Sequence, residues 1–282
     1  MSNLNKLLIA NRGEIAIRIT RAAQELGLTA VAIYPEDDAQ SLHVRLADEA
    51  VLLEGRGASA YLDIAQIVQL AKDAGCDGVH PGYGFLSENA NFAAAVEAAN
   101  MTFIGPSVAA LDAFGDKAKA RALAQACDVP VVAGLSEAIS IEQAQAFFAA
   151  HADSAILLKA IAGGGGRGMR IVRSADELVD AFTRCQSEAL AAFGNDGLYA
   201  EQLVASPRHI EVQIIGDGSG AVSHIWEREC SLQRRHQKLV EIAPSPTLDP
   251  AIRDAMCAAA VRLGQEINYA GLGTIEFLLD TN

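Results

Sequence analysis

The chain has 282 residues, 51% hydrophobic and 20% charged, which fits a globular protein of about two domains, and its net charge of −13 argues against nucleic acid as the main partner. Its five cysteines (Cys76, Cys127, Cys185, Cys230, Cys257) are widely spaced with no C-x-x-C, so reduced thiols in a cytoplasmic compartment are expected, without disulfides or structural zinc. The start, Met-Ser-Asn-Leu-Asn-Lys, precedes no long apolar run, so neither a signal peptide nor a membrane span is expected.

In chain order, Lys6 to Ala10 reads as a strand and Gly13 to Leu26 as a helix, with apolar residues at Ile15, Ile19, Ala22, Ala23 and Leu26. Gly27 is placed to end that helix. Strands are expected at Thr29 to Tyr34, Ala50 to Leu53, Gly78 to His80 and Thr102 to Ile104, and helices at Tyr61 to Ala74 and Asn89 to Ala99. Strands alternating with helices imply a parallel sheet, so residues 1–115 read as a Rossmann-like α/β domain. Asn11-Arg-Gly-Glu14 stands where a dinucleotide fingerprint belongs but has one glycine, so NAD is not expected there. His80-Pro-Gly-Tyr-Gly-Phe-Leu-Ser-Glu88 follows a strand's carboxyl end; it is either a ligand loop or a strand-to-helix turn capped by Ser87.

Asp116 to Cys127 reads as a helix ended by Pro130, with Lys117 and Arg121 on one face. Residues 116–203 then form a lid subdomain: a helix at Ile141 to Ala150, a glycine hairpin, a helix at Ser174 to Ala192 and a strand ending Tyr199-Ala-Glu201. The hairpin, Lys159-Ala-Ile-Ala-Gly-Gly-Gly-Gly-Arg-Gly-Met169, is neither a Walker loop nor a Rossmann fingerprint, because a strand follows it. An ordered glycine run lets backbone N–H groups approach anionic oxygens, and Lys159 and Arg167 add charge; the reading is a flap over nucleotide phosphates, the alternative a surface hairpin. Glu201 is placed to accept from an adenine amine or a ribose hydroxyl, with the Gln202 and Val204 backbone reading the adenine edge; an exposed junction glutamate is the bland alternative.

Residues 204–282 change character. His209 to Ile215 alternates, with His209, Glu211 and Gln213 on one face, and Gly216 to Gly220 reads as a hairpin turn before a strand from Val222 through Trp226. The run Gln233-Arg-Arg-His-Gln-Lys238 is either a solvated charge run or a pocket in which Lys238 supplies a charge for a small anion and His236 a donor. Gln233 would face away from Lys238 unless a bulge re-aims it. Pro250 to Gly264 reads as a helix and Gly273 to Asp280 as a strand. Glu276, one carboxylate in that apolar strand, would be costly to bury unpaired, and Mg²⁺ is the natural partner. Cys230 is either a reactive thiol or a small buried packing residue.

Taken together, these motifs resemble the biotin carboxylase family of ATP-grasp enzymes. The resemblance spans Ala10-Asn-Arg-Gly-Glu-Ile-Ala16, His80 to Asn89, Phe103-Ile-Gly-Pro-Ser107, Gly163 to Met169, Pro207 to Gln213 and Glu229 to Lys238, all in the family's order. It implies a Rossmann-like amino-terminal domain followed by an ATP-grasp fold, an α+β lid (116–203) and part of an antiparallel carboxyl-terminal sheet (204–282). It implies ATP-dependent carboxylation of biotin on a carrier domain, with bicarbonate as substrate, carboxyphosphate as intermediate and Mg²⁺ (or Mn²⁺) as metal. A biotin carboxyl carrier domain and a carboxyltransferase are the implied partners, and a homodimer the implied assembly. By motif, Lys117, Lys159, Met169, His209, Gln233 and His236 contact ATP, Gly165 and Gly166 close over its phosphates, and Glu201, Gln202, Val204 and Leu278 border the adenine. Lys238 binds bicarbonate with Glu211 in support, and Glu276 binds the metal.

Family members continue into a strand bearing a second metal-binding glutamate, an asparagine, an arginine and a proposed base. These 282 residues are therefore expected to be an incomplete, inactive amino-terminal portion. Two alternatives are another ATP-grasp ligase forming an acyl phosphate, of carbamoyl-phosphate type, and a non-catalytic nucleotide-binding module.

Overall fold

A computed structural model describes residues 4–115, 117–135, 137–151, 154–161, 168–234 and 237–280, the Lys117 side chain excepted. The chain divides into two compact units, Met1–Gly115 with Tyr269–Leu272, and Asp116–Asn268 with Gly273–Asn282.

In the first unit the elements run β1 (Lys6–Ile9), α1 (Gly13–Glu25), β2 (Thr29–Pro35), α2 (Leu42–Leu46), β3 (Glu49–Leu53), α3 (Gly57–Ala60), α4 (Ile64–Asp73), β4 (Gly78–His80), α5 (Ala90–Ala98), β5 (Thr102–Phe103) and α6 (Val108–Gly115). The described strands form a parallel sheet in the order β3-β2-β1-β4-β5. Alternate residues of β1 and β2 explain its two cores: Leu8, Val31 and Ile33 pack with Ile67, Phe92 and Val96 on one face, and Leu7, Ile9 and Ala30 with Ala16, Ile19 and Ala23 on the other. Burial on both faces is the usual condition of a parallel sheet.

Helix α1 ends at Glu25, one residue short of the expected bound, and Gly27 takes the positive φ that follows. Leu26 is largely exposed rather than part of the buried stripe. The Ser87 cap is corrected: Asn89 caps α5, its side chain accepting from the Phe92 N–H. Asn89 stands two residues nearer the helix than Ser87, at the position directly before its first turn, so the loop from His80 runs longer than the spacing suggests. Helices α2, α3 and α6 were not expected; the first two are too short to show a period.

The second unit begins with α7 (Lys117–Ala126), β6 (Gly134–Leu135), α8 (Ile141–Ala150), β7 (Ile156–Ala160), β8 (Met169–Val172), α9 (Ala175–Phe193) and β9 (Leu198–Gln202). Its first sheet is antiparallel, ordered β6-β9-β7-β8. Ile156, Leu158, Ala160, Leu198 and Ala200 turn one face onto α8 and α9, through Phe147, Leu178 and Phe182. The odd-numbered residues of β7 and β9 face the other way.

The unit continues with β10 (Arg208–Asp217), β11 (Val222–Arg234), β12 (Gln237–Ile242), α10 (Pro250–Glu266) and, from Gly273 on, β13 (Ala270–Leu279). Its second sheet is ordered β12-β11-β10-β13. Strand β11 reaches Arg234, eight residues past the expected Trp226, and β12 occupies what read as the end of a charge run. Strand β12 is exposed throughout, so it carries no alternation for a period argument to detect.

Candidate active site

Strand alternation builds the polar face of the second sheet. Ile210, Val212 and Ile214 are buried on the side where α10 packs, which turns His209, Glu211 and Gln213 to the opposite face. Arg228 is the register partner of Glu211 and bonds Glu211 Oε1, Gln213 Oε1 (3.0 Å) and Thr274 Oγ1 (3.4 Å). No bulge is needed to re-aim Gln233: β11 and β12 are antiparallel, Arg234 pairs with Gln237, and Gln233 therefore stands directly opposite Lys238. Gln233 Nε2 donates to the Cys230 carbonyl (3.0 Å).

Lys238 Nζ donates to Glu211 Oε2 and to Glu276 Oε1. Burial would lower the Lys238 pKa, but hydrogen bonds to the two carboxylates, with their charges, outweigh it and raise the pKa. Glu211 shows the converse balance: burial pushes its carboxyl up, yet Lys238 and Arg228 hold it below the ordinary value of 4.5. The face is thus a fixed pattern of charge, with an ammonium between two carboxylates and a guanidinium beside one of them.

Glu276 needs a correction. Strand β13 alternates, with Ile275 and Phe277 packed inward and Thr274, Glu276 and Leu278 on the exposed side. The Glu276 side chain is 61% exposed, so no burial cost demands a metal partner. The donor chemistry still suits one: a hard, accessible carboxylate is what Mg²⁺ takes, together with water and phosphate oxygens. Another group of candidate ligands, Glu211, Cys230 and Glu241, places its ligand atoms within 4.8 Å of one another. It suits a cation poorly. Glu211 is committed to two cationic side chains, and burial pushes the Cys230 thiol up to about 12, leaving it protonated at neutral pH. Cys230 is buried, which fits a small packing residue rather than a reactive thiol.

In the first sheet of this unit, Leu157, Lys159 and Glu201 face away from the core, and Lys159 Nζ bonds Glu201 Oε1. Met169 is the register partner of Lys159 and Ile171 of Leu157. Leu157, Met169, Ile171 and Leu203 line part of a cavity of about 670 Å³, a size that takes a small organic ligand. The Gln202 N–H donates to the Ala133 carbonyl (2.8 Å) and its side chain to Ser154 Oγ (3.2 Å), so of its backbone groups the N–H is already used. Val204 and His209 are half-buried, the His209 N–H donating to Ser231 Oγ (2.9 Å), and Leu278 is exposed beyond Glu276. Gly165, Gly166, His236 and the Lys117 side chain lie outside the described residues.

In the first unit, the carboxyl ends of β1 and β4 meet at the point where strand order reverses, the usual crevice of an open α/β sheet. Asn11 fills it, its Nδ2 donating to the Pro81 (2.6 Å) and Tyr83 (2.8 Å) carbonyls. Sequence reasoning missed this plug and also Arg228; in both cases the signal was a polar residue beside a strand end or within an alternating strand.

A parallel-sheet unit followed by an antiparallel flap sheet and a lysine–carboxylate sheet face defines an ATP-grasp protein. Residues 3–111 match the family described as biotin carboxylase, N-terminal domain, and residues 116–282 that described as carbamoyl-phosphate synthase L chain, ATP binding domain. The chain is 51% identical over 282 residues to a pyruvate carboxylase of Bacillus subtilis (strain 168), covering 99% of this chain and 25% of that protein. It is 50% identical over 277 residues to a biotin carboxylase of Nostoc sp., covering 98% and 62%. Among solved structures, a biotin carboxylase–β,γ-ATP complex from Campylobacter jejuni superposes with a TM-score of 0.94 at 44% identity, covering 99% of this chain and 63% of that one. The biotin carboxylase domain dimer of Hydrogenobacter thermophilus 2-oxoglutarate carboxylase, with MgADP, ADP and bicarbonate, gives the same score and identity, covering 99% and 61%. The chain belongs to the biotin carboxylase family. It spans about a quarter of the pyruvate carboxylases it matches and 62% of the Nostoc biotin carboxylase. No helix among the described residues is long and apolar enough to cross a membrane.

Proposed function

We propose that this chain carries the nucleotide- and bicarbonate-binding part of a biotin carboxylase, which carboxylates carrier-bound biotin at the expense of ATP. The observation that carries the reading is Lys238 held between Glu211 and Glu276 on an open sheet face, opposite Gln233. An ammonium that uses two of its three donors among the described residues is a site for a small oxyanion. Bicarbonate seated there would have an anionic oxygen presented to the γ-phosphorus of ATP; the O–P bond forms as the bond from that phosphorus to the ADP oxygen breaks, giving carboxyphosphate. Loss of phosphate from that anhydride releases the CO₂ unit to the biotin nitrogen, whose proton passes to the departing phosphate. Glu211 keeps Lys238 and Arg228 in place throughout. Lys159 and Lys117 are assigned to the phosphates, with Gly165 and Gly166 closing over them. Met169, Glu201, Val204 and Leu278 are assigned to the adenine, and Gln233, His236 and His209 to the nucleotide's polar groups. Glu276 would hold the magnesium ion, whose charge supports the transferring phosphoryl group.

The implied partners are a biotin carboxyl carrier domain and a carboxyltransferase, and the implied assembly a homodimer. Five free, buried cysteines fit a reducing compartment such as the cytoplasm. The test is ATP cleavage by the full protein carrying this chain. It should depend on bicarbonate, rise with added biotin, and fall by about 10²-fold or more in Lys238→Gln. Cleavage that needs bicarbonate but ignores biotin would favour a carbamoyl-phosphate-type ligase, the reading to which the description of the second domain's family points. Nucleotide binding without any turnover would favour a non-catalytic module.

A further inference from the structure

The side of the second sheet away from Lys238 holds an anchor that the reading above does not use. Strands β10 and β11 shift register between Val212 and Ile214. Val212 pairs with Glu227 and Ile214 with His224, so Ile225 and Trp226 together oppose Gln213. That is a β-bulge, and its left-handed residue is Trp226, at φ +59°. A bulky side chain holds this conformation only where its surroundings impose it. The surroundings are specific. The Arg253 guanidinium of α10 lies 5.1 Å from the centre of the Trp226 ring. Arg253 Nε donates to Glu227 Oε1 (2.9 Å), and the same oxygen accepts the Ser245 N–H (3.0 Å). The Glu227 side chain is fully buried, and its other oxygen, Oε2, has no partner among the described residues. A buried carboxylate is therefore pinned to a helix and a loop at the point where the strand carries its extra residue.

The consequence lies on the opposite face. Side chains along a strand alternate, so losing or moving the bulge by one residue turns every later side chain over. Arg228 follows Glu227 directly. In the observed register it meets Glu211, Gln213 and Thr274. One residue out of register, it would point toward α10, leaving Glu211 without its guanidinium, and Cys230 would lose its buried place beside Glu211. We propose that Glu227, held by Arg253 and Ser245 and braced by the Trp226–Arg253 stack, is a positioning residue. It fixes the β11 register and thereby the Glu211–Arg228–Lys238 arrangement that receives the anion. The register claim stands by itself; only the effect on bicarbonate rests on the proposed function.

The experiment uses the full protein, as wild type, Glu227→Gln, Arg253→Lys and a control, Ile67→Ala, in the core of the other unit. Iodoacetamide labelling is followed cysteine by cysteine by peptide mass spectrometry, and bicarbonate and MgATP affinities are measured by titration. In Glu227→Gln and Arg253→Lys, labelling of Cys230 should speed up by about tenfold relative to Cys185, because the opening is local to β11. Bicarbonate affinity should weaken by about tenfold with MgATP affinity within about twofold, and Ile67→Ala should change neither ratio. If Cys230 and Cys185 speed up together, or Cys230 stays protected in a folded variant of lowered Tm, Glu227 is only a stabilising residue and the proposal is overturned. Should Glu227→Gln fail to fold, the Cys230-to-Cys185 ratio in Arg253→Lys decides in the same way. A wild type that binds no bicarbonate would overturn the proposed function while the labelling pattern still decides the register.

Discussion

Glu211 is a carboxylate almost wholly out of solvent that two cationic side chains share, and each of the three depends on the others. Removing its charge leaves Lys238 and Arg228 facing one another, so Glu211→Gln should destabilise the fold by about 2–3 kcal/mol at neutral pH. The sign of the pH dependence follows from its lowered pKa. That stabilisation is present above the ordinary value of 4.5 and is lost as pH falls through the lower folded value. Urea midpoints of wild type and Glu211→Gln should therefore differ most near neutrality and converge as the pH drops below about 4. A constant gap down to acid pH would show that Glu211 acts through shape rather than charge. Gly82 gives a second prediction. At φ +67° a Cβ there would lie 2.6 Å from Asn11 Nδ2, so Gly82→Ala must both strain the turn and dislodge the asparagine that closes the β1–β4 crevice. A loss of about 2 kcal/mol in chemical denaturation is expected, with Asn11→Ala giving a similar loss.

At the scale of the element, local sequence explains where helices start better than where strands end. Asp63, Asn89, Ser140 and Asp249 each cap a helix with a side-chain oxygen. Ser140 forms a reciprocal capping box with Gln143. Ser140→Ala should cost about 1 kcal/mol and loosen α8, read as faster amide exchange in its first turn. Strands β11 and β12 are the opposite case. Their antiparallel pairing reaches into a run rich in cationic and amide side chains, and the reversal between Arg234 and Gln237, not the residue types, puts Gln233 and Lys238 on one face. The flap sheet belongs to the same scale. Lys159 is held by Glu201 before any phosphate arrives, so a nucleotide has to replace that contact with a stronger one. Calorimetric titration with MgATP should give saturable binding that Lys159→Ala weakens by about tenfold or more.

Across the whole molecule, nucleotide binding should report on one unit. Lys159, Glu201, Lys238 and Glu276 all belong to the unit built on residues 116–268 and 273–282. At a hundred times Kd, MgATP should stabilise that unit by about 2.7 kcal/mol, seen as slower proteolysis of its peptides. The sequence alone determined the α/β class, the parallel-sheet first domain and the order of the family motifs, and it nominated the candidate site residues, because period and short motifs are local properties. It also placed Lys238, Glu211 and Gln233 together, but only as members of a recognised pattern. Tertiary structure decided what depends on partners distant in sequence: that Glu276 is exposed and paired with Lys238, that the Gln202 amide is already used, that Arg228 completes the Glu211 cluster, and that Asn11 occupies the Rossmann crevice. Each of these turns on strand register or on burial. Both are set by which segments pair across the fold, and no window of neighbouring residues contains that information.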